Sequence, residues 1–259
     1  MNQSEHAASS KRSDIIVGRN AVMEALKSGR TVDLLYVSQH ASGGSMGKIL
    51  ALAKERRIVV KIVAPQKLDA MSGGVVHQGV AAVISVADYV ELEDLLTIAS
   101  KRGEAAFFII CDEIEDPHNL GAILRTAEAA GAHGVILPKR RSATLTQTVY
   151  KTSAGAASVV PVCRVSNLRQ AVVALKKAGV WIYAADMDGS PWCGQDYTAP
   201  TALIIGSEGR GVNRILREEA DQIVSLPMSG QINSLNASVA AGILMYEVAR
   251  QRQQIVAKN

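Results

Sequence analysis

From residue 106 onward, short apolar runs rich in Val and Ile alternate with segments whose apolar residues recur at helical spacing. The runs are residues 106–111, 134–137, 159–162, 180–184, 202–205 and 222–226. The helical segments are 120–130, 167–178 and 234–251. Short continuous apolar runs are typical of strands covered on both faces. Their alternation with helices predicts an α/β fold with a mostly parallel sheet and flanking helices.

The chain before this region shows a second, smaller α/β pattern. Apolar runs at 15–17, 34–37, 59–63 and 80–86 are separated by helical patterns at 20–28 and 46–57. We expect residues 14–88 to form one domain and residues 105–259 to form another. The small and polar residues 1–13 predict a disordered leader, and residues 89–104, with a short helical stretch and a charged end, predict a linker.

Composition excludes several classes of protein. With 48% hydrophobic and 20% charged residues among 259, the chain can bury a large core, which excludes disordered chains and small disulfide-stapled scaffolds. No apolar run approaches the roughly 20 residues of a membrane helix, and no signal peptide is recognisable. Cys111, Cys163 and Cys193 form no CxxC pair, so we expect reduced thiols in a cytoplasmic protein and no metal site.

The net charge of +4 lies entirely in the first third of the chain. Residues 1–88 carry 11 Lys and Arg against 7 Asp and Glu, whereas the remainder is neutral. A local cluster comprises Lys54, Arg56, Arg57 and Lys61. It either attracts phosphates or is the solvated face of a helix. Aromatic residues, at 4%, are too few for a surface that grips RNA mainly by base stacking.

A first candidate segment, residues 116–131, reads DPHNLGAILRTAEAAG and follows a predicted strand. Its predicted buried stripe comprises Leu120, Ile123, Leu124 and Ala127. Asn119 lies at the start of the helix, where it either caps the helix or serves a function. Arg125 lies among apolar neighbours and is either a surface residue with a buried stem or a functional one.

Two further segments follow the same strand-to-helix pattern. Residues 203–212, LIIGSEGRGV, run from a strand into a Gly-rich bend that holds Glu208, a carboxylate that a tight turn does not require. The glycine order is neither GxGxxG nor a P-loop, which argues against a dinucleotide enzyme of Rossmann type. Residues 226–252, LPMSGQINSLNASVAAGILMYEVARQR, lead through a polar loop into a long helix that Ser234 or Asn236 caps. Small residues crowd the start of that helix, which indicates close packing.

In this order, the three segments resemble the three motifs of the SpoU/TrmH family of S-adenosylmethionine-dependent RNA ribose 2′-O-methyltransferases. Residues 18–29 and 76–82, the latter reading VHQGVAA, are similar to the ribosomal-protein-like substrate-binding domain of many members. The pairing of domains is most similar to members that methylate a guanosine ribose in 23S rRNA. The resemblance implies S-adenosylmethionine as cofactor, RNA as partner, a homodimer with the C-terminal helix near its interface, and a deep trefoil knot in the C-terminal domain.

The resemblance also implies which residues act. Asn119 and Arg125 match the polar positions of the first motif, Glu208 the carboxylate of the second, and Ser234 and Asn236 those of the third. These five are the expected catalytic residues.

Backbone groups hold the cofactor in such proteins, at positions that match Gly206, Leu226 and Leu235. One residue departs from the pattern, since close relatives carry a Glu at the position of Ser158.

The role of Arg125 stays open at this point. The family's usual proposal makes this arginine the general base, but a guanidinium normally stays protonated. Binding the neighbouring phosphate and stabilising the developing alkoxide is the easier role.

Two other functions are considered: a tRNA ribose methyltransferase, and a non-catalytic rRNA-binding or assembly factor. The ribosomal-protein-like domain disfavours the first. The intact polar residues of the three motifs disfavour the second.

Overall fold

A computed structural model describes residues 14–231 and 234–253, so the predicted leader, residues 1–13, lies outside the described residues. The chain divides into two compact units. The N-terminal unit contains the described residues up to Asp88 together with Thr144–Gln147, and the C-terminal unit contains the others. Each unit has its own sheet.

The N-terminal unit is a mixed sheet with three helices. Its elements are β1 (Ile15–Val17), α1 (Arg19–Lys27), β2 (Val32–Ser38), α2 (Gly44–Glu55), β3 (Val59–Val63), α3 (Pro65–Ser72) and β4 (Val80–Ile84). The strand order is β1-β4-β2-β3, in which only β2 and β3 pair in parallel. Helix α3 was not expected from the apolar pattern; Pro65 occupies its first turn, where the missing N–H costs nothing.

The remaining elements build a six-stranded sheet covered by helices. They are α4 (Leu92–Arg102), β5 (Phe107–Cys111), α5 (Pro117–Ala129), β6 (Gly134–Pro138), α6 (Gln147–Thr152), β7 (Val162–Val165), α7 (Leu168–Lys177), β8 (Trp181–Pro191), β9 (Thr201–Ile205), α8 (Arg214–Glu219), β10 (Gln222–Ser225) and α9 (Ala237–Arg252). The strand order is β10-β8-β9-β5-β6-β7, and every neighbouring pair is parallel. The expected α/β class is therefore confirmed, while the knot stays a prediction.

The two central strands explain why the sequence showed continuous apolar runs. Every residue of β5 and β9 is buried, because helices cover both faces of the sheet at that point. The buried stripe expected on α5, at Leu120, Ile123, Leu124 and Ala127, is confirmed. Among the described residues, no helix is both long enough and apolar enough to cross a membrane.

The segment expected as a linker, residues 89–104, lies in the C-terminal unit and contains α4. Leu95 and Ala99 of this helix belong to the core beneath the sheet. Glu91 and Asp94 form a reciprocal capping box at its start, and Gly103 ends it in the left-handed conformation. The spacing of Leu92, Leu95, Leu96 and Ala99 is that of an amphipathic helix, whose apolar face must be buried.

One strand begins later than expected. The apolar run at 159–162 predicted a strand, but β7 spans Val162–Val165 and follows a 3-10 turn at Ala156–Ser158. Pro161 explains the shift, because proline has no N–H to donate to a neighbouring strand. The exposed Ser158, singled out above as a departure from the family pattern, lies at the end of that turn.

Candidate functional site

The candidate site lies at the carboxyl ends of β5 and β9. These strands are adjacent and parallel, with Cys111 paired with Ile205 at their last residues, although 94 positions separate the two in the chain. The loop before α5 and the Gly-rich loop before α8 therefore leave the sheet side by side. Ligands of open parallel sheets bind at this edge.

Three side chains, one from each motif, meet there in a hydrogen-bonded cluster that we call the motif cluster: Asn119, Glu208 and Asn236. Asn119 donates from Nδ2 to Glu208 Oε1 at 2.9 Å, and Asn236 donates from Nδ2 to Asn119 Oδ1 at 2.9 Å. Asn236 Nδ2 also donates to the same Glu208 oxygen. One carboxylate oxygen thus orients two amides that come from distant parts of the chain.

The residues that cap α5 and α9 show which polar side chains are needed for the helices and which are free to serve the site. Asp116, not Asn119, caps α5, because its carboxylate accepts the N–H of His118 at 2.9 Å. Asn119 lies within the first turn of α5, so its amide is available to the motif cluster. Asn236 does both jobs: its Oδ1 accepts the N–H groups of Ser238 and Val239 at the start of α9, while its Nδ2 reaches the motif cluster.

The other two expected catalytic residues lie outside the motif cluster. Arg125 is exposed on α5, six residues after Asn119, which places it about 9 Å along the helix axis and on another face. Ser234 is exposed in the loop that leads into α9. Within the part of the chain that the structure describes, neither takes part in the hydrogen bonds of the motif cluster.

The expected cofactor positions lie in the loops around this cluster. Gly206 begins the Gly-rich loop, Leu226 directly follows β10, and Leu235 precedes the cap of α9. Leu235, next to Asn236 of the motif cluster, is 37% exposed, which leaves apolar surface beside a polar site. Such surface suits the flat base of a nucleoside.

The Gly-rich loop folds back on itself. Gly211 donates its N–H to Ser207 O at 2.9 Å, and a Cβ on Gly206 would lie 2.1 Å from the carbonyl carbon of Gly211. No side chain fits at position 206. The glycine therefore lets the loop close tightly and keep its backbone near the sheet edge.

A cavity of about 290 Å³ separates the two loops. Four carboxylates line it, against the single guanidinium of Arg210; they belong to Glu113, Glu115, Asp116 and Glu208. A site of this charge attracts a cation and repels phosphate. Its carboxylate oxygens therefore fit the positively charged sulfonium and ammonium groups of S-adenosylmethionine.

Three of those carboxylates were not singled out from the sequence. The acidic run that directly follows β5 contains all three, Glu113, Glu115 and Asp116. Its position at the carboxyl end of a buried strand could have marked these residues as part of a ligand site. Glu113 has a φ of 57°, a value that non-glycine residues seldom adopt. Its carboxylate pairs with Arg141 and lies 3.7 Å from Arg210.

The N-terminal unit holds a separate groove of about 640 Å³. Its polar lining includes Arg19, Asn20, His40, Ser45, His77 and Gln78. Arg19 is held in the wall by donating from Nε to Gln78 O at 2.9 Å and from Nη1 to Ser45 Oγ at 3.1 Å. Helices α1, α2 and α3 all begin at this groove, so their N-terminal N–H groups add positive potential to it.

Two family models match the chain. Residues 106–246 match the SpoU rRNA Methylase family, and residues 15–90 match the RNA 2′-O ribose methyltransferase substrate-binding domain. The "Putative TrmH family tRNA/rRNA methyltransferase YacO" of Bacillus subtilis (strain 168) is 45% identical over 95% of this chain and 99% of its own length. A relative of the same family from Staphylococcus haemolyticus is 43% identical over 93% of this chain and 97% of its own length.

Solved structures are similar over both units. The SpoU methyltransferase AviRb from Streptomyces viridochromogenes, crystallised with AdoMet, is 27% identical with a TM-score of 0.59 and covers 93% of this chain and 90% of its own. An AdoMet-bound rRNA methyltransferase from Sinorhizobium meliloti is 25% identical with a TM-score of 0.59 and covers 95% and 89%. The A. aeolicus TrmH/SpoU tRNA modifying enzyme is 30% identical with a TM-score of 0.54, and the match covers only 63% of this chain and 85% of that enzyme.

Proposed function

Because the chain belongs to the SpoU family of S-adenosylmethionine-dependent RNA methyltransferases, we propose that it methylates the ribose 2′-hydroxyl of a guanosine in 23S rRNA. The observation that carries this function is the motif cluster, in which Asn119, Glu208 and Asn236 join the three motifs at one sheet edge. A non-catalytic rRNA-binding factor would have no need of this arrangement.

The extent of the structural matches supports rRNA over tRNA. The match to the Sinorhizobium meliloti rRNA methyltransferase covers 95% of the chain and so includes the N-terminal unit. The match to the A. aeolicus tRNA modifying enzyme covers 63%, a share that cannot include both units in full. The names of the curated relatives allow both RNAs, so a tRNA ribose methyltransferase is the second candidate.

The cofactor is held, in this proposal, by the backbone at Gly206, Leu226 and Leu235. When bound, S-adenosylmethionine supplies an electrophilic methyl group on a positively charged sulfur. The carboxylate of Glu208 favours that charge and fixes the amides of Asn119 and Asn236. The exposed Ser234, in the loop that leads into α9, completes the polar rim that receives the ribose.

Arg125 binds the phosphate beside the target ribose and stabilises the developing alkoxide. The acidic cavity next to the motif cluster repels phosphate, so the RNA backbone needs a cation that lies outside it. The exposed guanidinium of Arg125, on the helix that carries Asn119, provides one. Because a guanidinium stays protonated, we assign no general-base role to it.

The N-terminal unit selects the RNA. Its groove combines Arg19 with three helix N-termini, an arrangement that binds phosphate groups. The excess of basic residues over acidic ones in the first 88 positions adds attraction at longer range.

We further propose a homodimer that acts in the cytoplasm. An apolar stripe on α9 stays exposed, at 49% for Val239, 36% for Ile243 and 54% for Tyr246, and a second copy would cover it. The thiols of Cys111, Cys163 and Cys193 are free, which suits a reducing compartment.

The test is a map of ribose methylation by mass spectrometry in 23S rRNA and tRNA from a deletion strain. We expect one 23S guanosine to lose its 2′-O-methyl group and the wild-type gene to restore it. Glu208→Ala should fail to restore the mark, whereas Glu218→Ala, at an exposed ion pair with Arg214 on α8, should restore it. Loss of a tRNA mark alone would select the second candidate, and an unchanged map of both RNAs would contradict the proposal.

A further inference from the structure

The Gly-rich loop is fixed at its base by one residue outside all three motifs. Asp112, which directly follows β5, donates its backbone N–H to Ile205 O at 2.8 Å, just before the loop. Its carboxylate Oδ2 accepts the N–H of Asn213 at 2.7 Å, just after the loop. The backbone and the side chain of Asp112 thus hold the two ends of residues 206–212 together.

Asp112 is buried, with 5% of its surface exposed. Removing a carboxylate from water is costly unless hydrogen bonds compensate for it. Burial raises the pKa of Asp112, and the hydrogen bond from Asn213 acts in the opposite direction. A buried side-chain oxygen that accepts a main-chain N–H beyond a loop holds that loop in place, because breaking the bond would leave a buried polar group without a partner.

The position of the loop matters for the site at its tip. The loop carries Gly206 and also Glu208, whose Oε1 accepts both amides of the motif cluster. Asp112 also immediately precedes Glu113, the residue with positive φ that turns the chain toward α5. A displacement at Asp112 would therefore move both loops that line the acidic cavity.

We propose that Asp112 is a positioning residue for S-adenosylmethionine: it fixes both ends of the loop that carries Gly206 and Glu208, and thereby sets the affinity for the cofactor. This role rests on the proposed cofactor and catalytic roles of those two residues.

The first test compares Asp112→Ala with Asp112→Asn in the full-length protein. Binding of S-adenosylmethionine is measured by calorimetry, and methyl transfer to an rRNA fragment is measured in a single turnover at saturating cofactor. We expect the alanine variant to bind the cofactor at least about tenfold more weakly. The asparagine variant should stay within about threefold of wild type, because its amide oxygen can accept the same N–H.

The second test removes the donor instead of the acceptor, and so does not depend on the folding of Asp112→Ala. Asn213 has φ −55° and ψ 139°, a conformation that proline adopts, so Asn213→Pro deletes the N–H that reaches Asp112. Asn213→Ala is the matched control, because it loses the side-chain cap on the N–H of Ile215 but keeps the N–H to Asp112. We expect the proline variant to bind cofactor at least tenfold more weakly than the alanine variant.

A control for general destabilisation is Thr201→Val, which removes a buried hydroxyl that donates to Ala199 O at the opposite end of β9. It should lower the unfolding temperature and leave cofactor affinity unchanged. Cofactor affinity equal to wild type in Asp112→Ala, or equal affinities in the two Asn213 variants, would overturn the positioning role. Failure of the proposed function would show instead in the wild-type protein, which would then leave 23S rRNA unmethylated.

Discussion

At the scale of single residues, one side chain often serves both structure and function in this protein. Asn236 caps α9 through its oxygen and joins the motif cluster through its nitrogen. Arg125 is different, since among the described residues no structural bond explains its place on the exposed face of α5. Its role is therefore the one that substitution tests most directly.

We predict that Arg125→Ala lowers the single-turnover rate of methyl transfer by at least about 100-fold, the loss expected when one charged donor to a developing anion is removed. Cofactor affinity and the unfolding temperature should stay near wild type, because the side chain is exposed. Arg125→Lys should resemble alanine more than wild type, since lysine lacks the planar fork that grips phosphate by two bonds. Near-normal transfer by Arg125→Ala would refute the catalytic role.

A second prediction concerns a buried histidine. His133 is 1% exposed; its Nδ1 accepts the N–H of Phe107 at 3.1 Å, and its Nε2 lies 3.1 Å from the Glu104 carboxylate. Burial, followed by the charge of Arg102, lowers the pKa of His133 in the folded state. The unfolded chain therefore binds the proton first as the pH falls.

The stabilising effect of neutral His133 should be complete above the ordinary histidine pKa of about 6.5 and be lost as the pH falls toward the lower folded value. Urea unfolding at a series of pH values should show the free energy of unfolding decreasing on acidification. In His133→Gln, which does not titrate, this slope should be smaller. An identical slope in both proteins would contradict this assignment.

At the scale of elements, burial decides which periodic segments become helices and what they cover. Helix α4 forms because its apolar face enters the core of the C-terminal unit through Leu95 and Ala99. Helix α9 buries one face, including Ala241, Leu244 and Val248, but leaves its other face exposed. Helix α9 packs on α5, where a Cβ on Gly242 would lie at ordinary van der Waals distance, 3.8 Å, from Thr126 Cγ2.

We predict that the exposed face of α9 forms the contact between two copies of the chain. Charges introduced by Ile243→Glu together with Tyr246→Glu should convert a dimer into monomers, as measured by light scattering after size-exclusion chromatography. The matched control is Ile215→Glu, which places the same charge at a residue 47% exposed on α8 and should leave the dimer intact. A dimer that survives the double substitution would exclude this face as the contact.

At the scale of the whole molecule, the basic residues that attract RNA and the residues of the proposed catalytic site lie in different units. The N-terminal unit carries the basic excess and the groove with Arg19, whereas the C-terminal unit carries the motif cluster and the acidic cavity. Lys54 and Arg56 lie at the C-terminal end of α2, where they also offset the helix dipole. Ser45, in the groove, lies at the other end of this helix, which is about 18 Å long.

We predict that Arg19→Gln weakens RNA binding and reduces the slope of log affinity against log salt by about one, because one phosphate contact is lost. Joint replacement of Lys54, Arg56 and Arg57 by Gln should weaken binding less per charge removed, since these residues lie away from the groove. Filter binding of an rRNA fragment at several salt concentrations measures both. If only the triple variant changes the slope, the RNA path follows the basic cluster and not the groove.

The sequence by itself determined the features that depend on local periodicity. Val- and Ile-rich runs gave most strands of the sheet, helical spacing gave α5, α7 and α9, and the motif order gave the family. It missed α3, α6 and α8, which are short and carry little apolar repeat, and it placed β7 too early because Pro161 interrupts the run.

Tertiary structure alone decided which of the expected site residues meet. Asn119, Glu208 and Asn236 are separated by 89 and 28 positions, and they touch because the sheet order places β5 beside β9 and the loop after β10 returns to the same edge. Arg125 comes from the same motif as Asn119 but lies outside the motif cluster, because a helix turns successive side chains to different faces. Ser234, from the third motif, also lies outside it, in the loop before α9. The role of Asp112 follows only from the pairing of strands, which brings the two ends of the Gly-rich loop to a residue about 100 positions earlier in the chain.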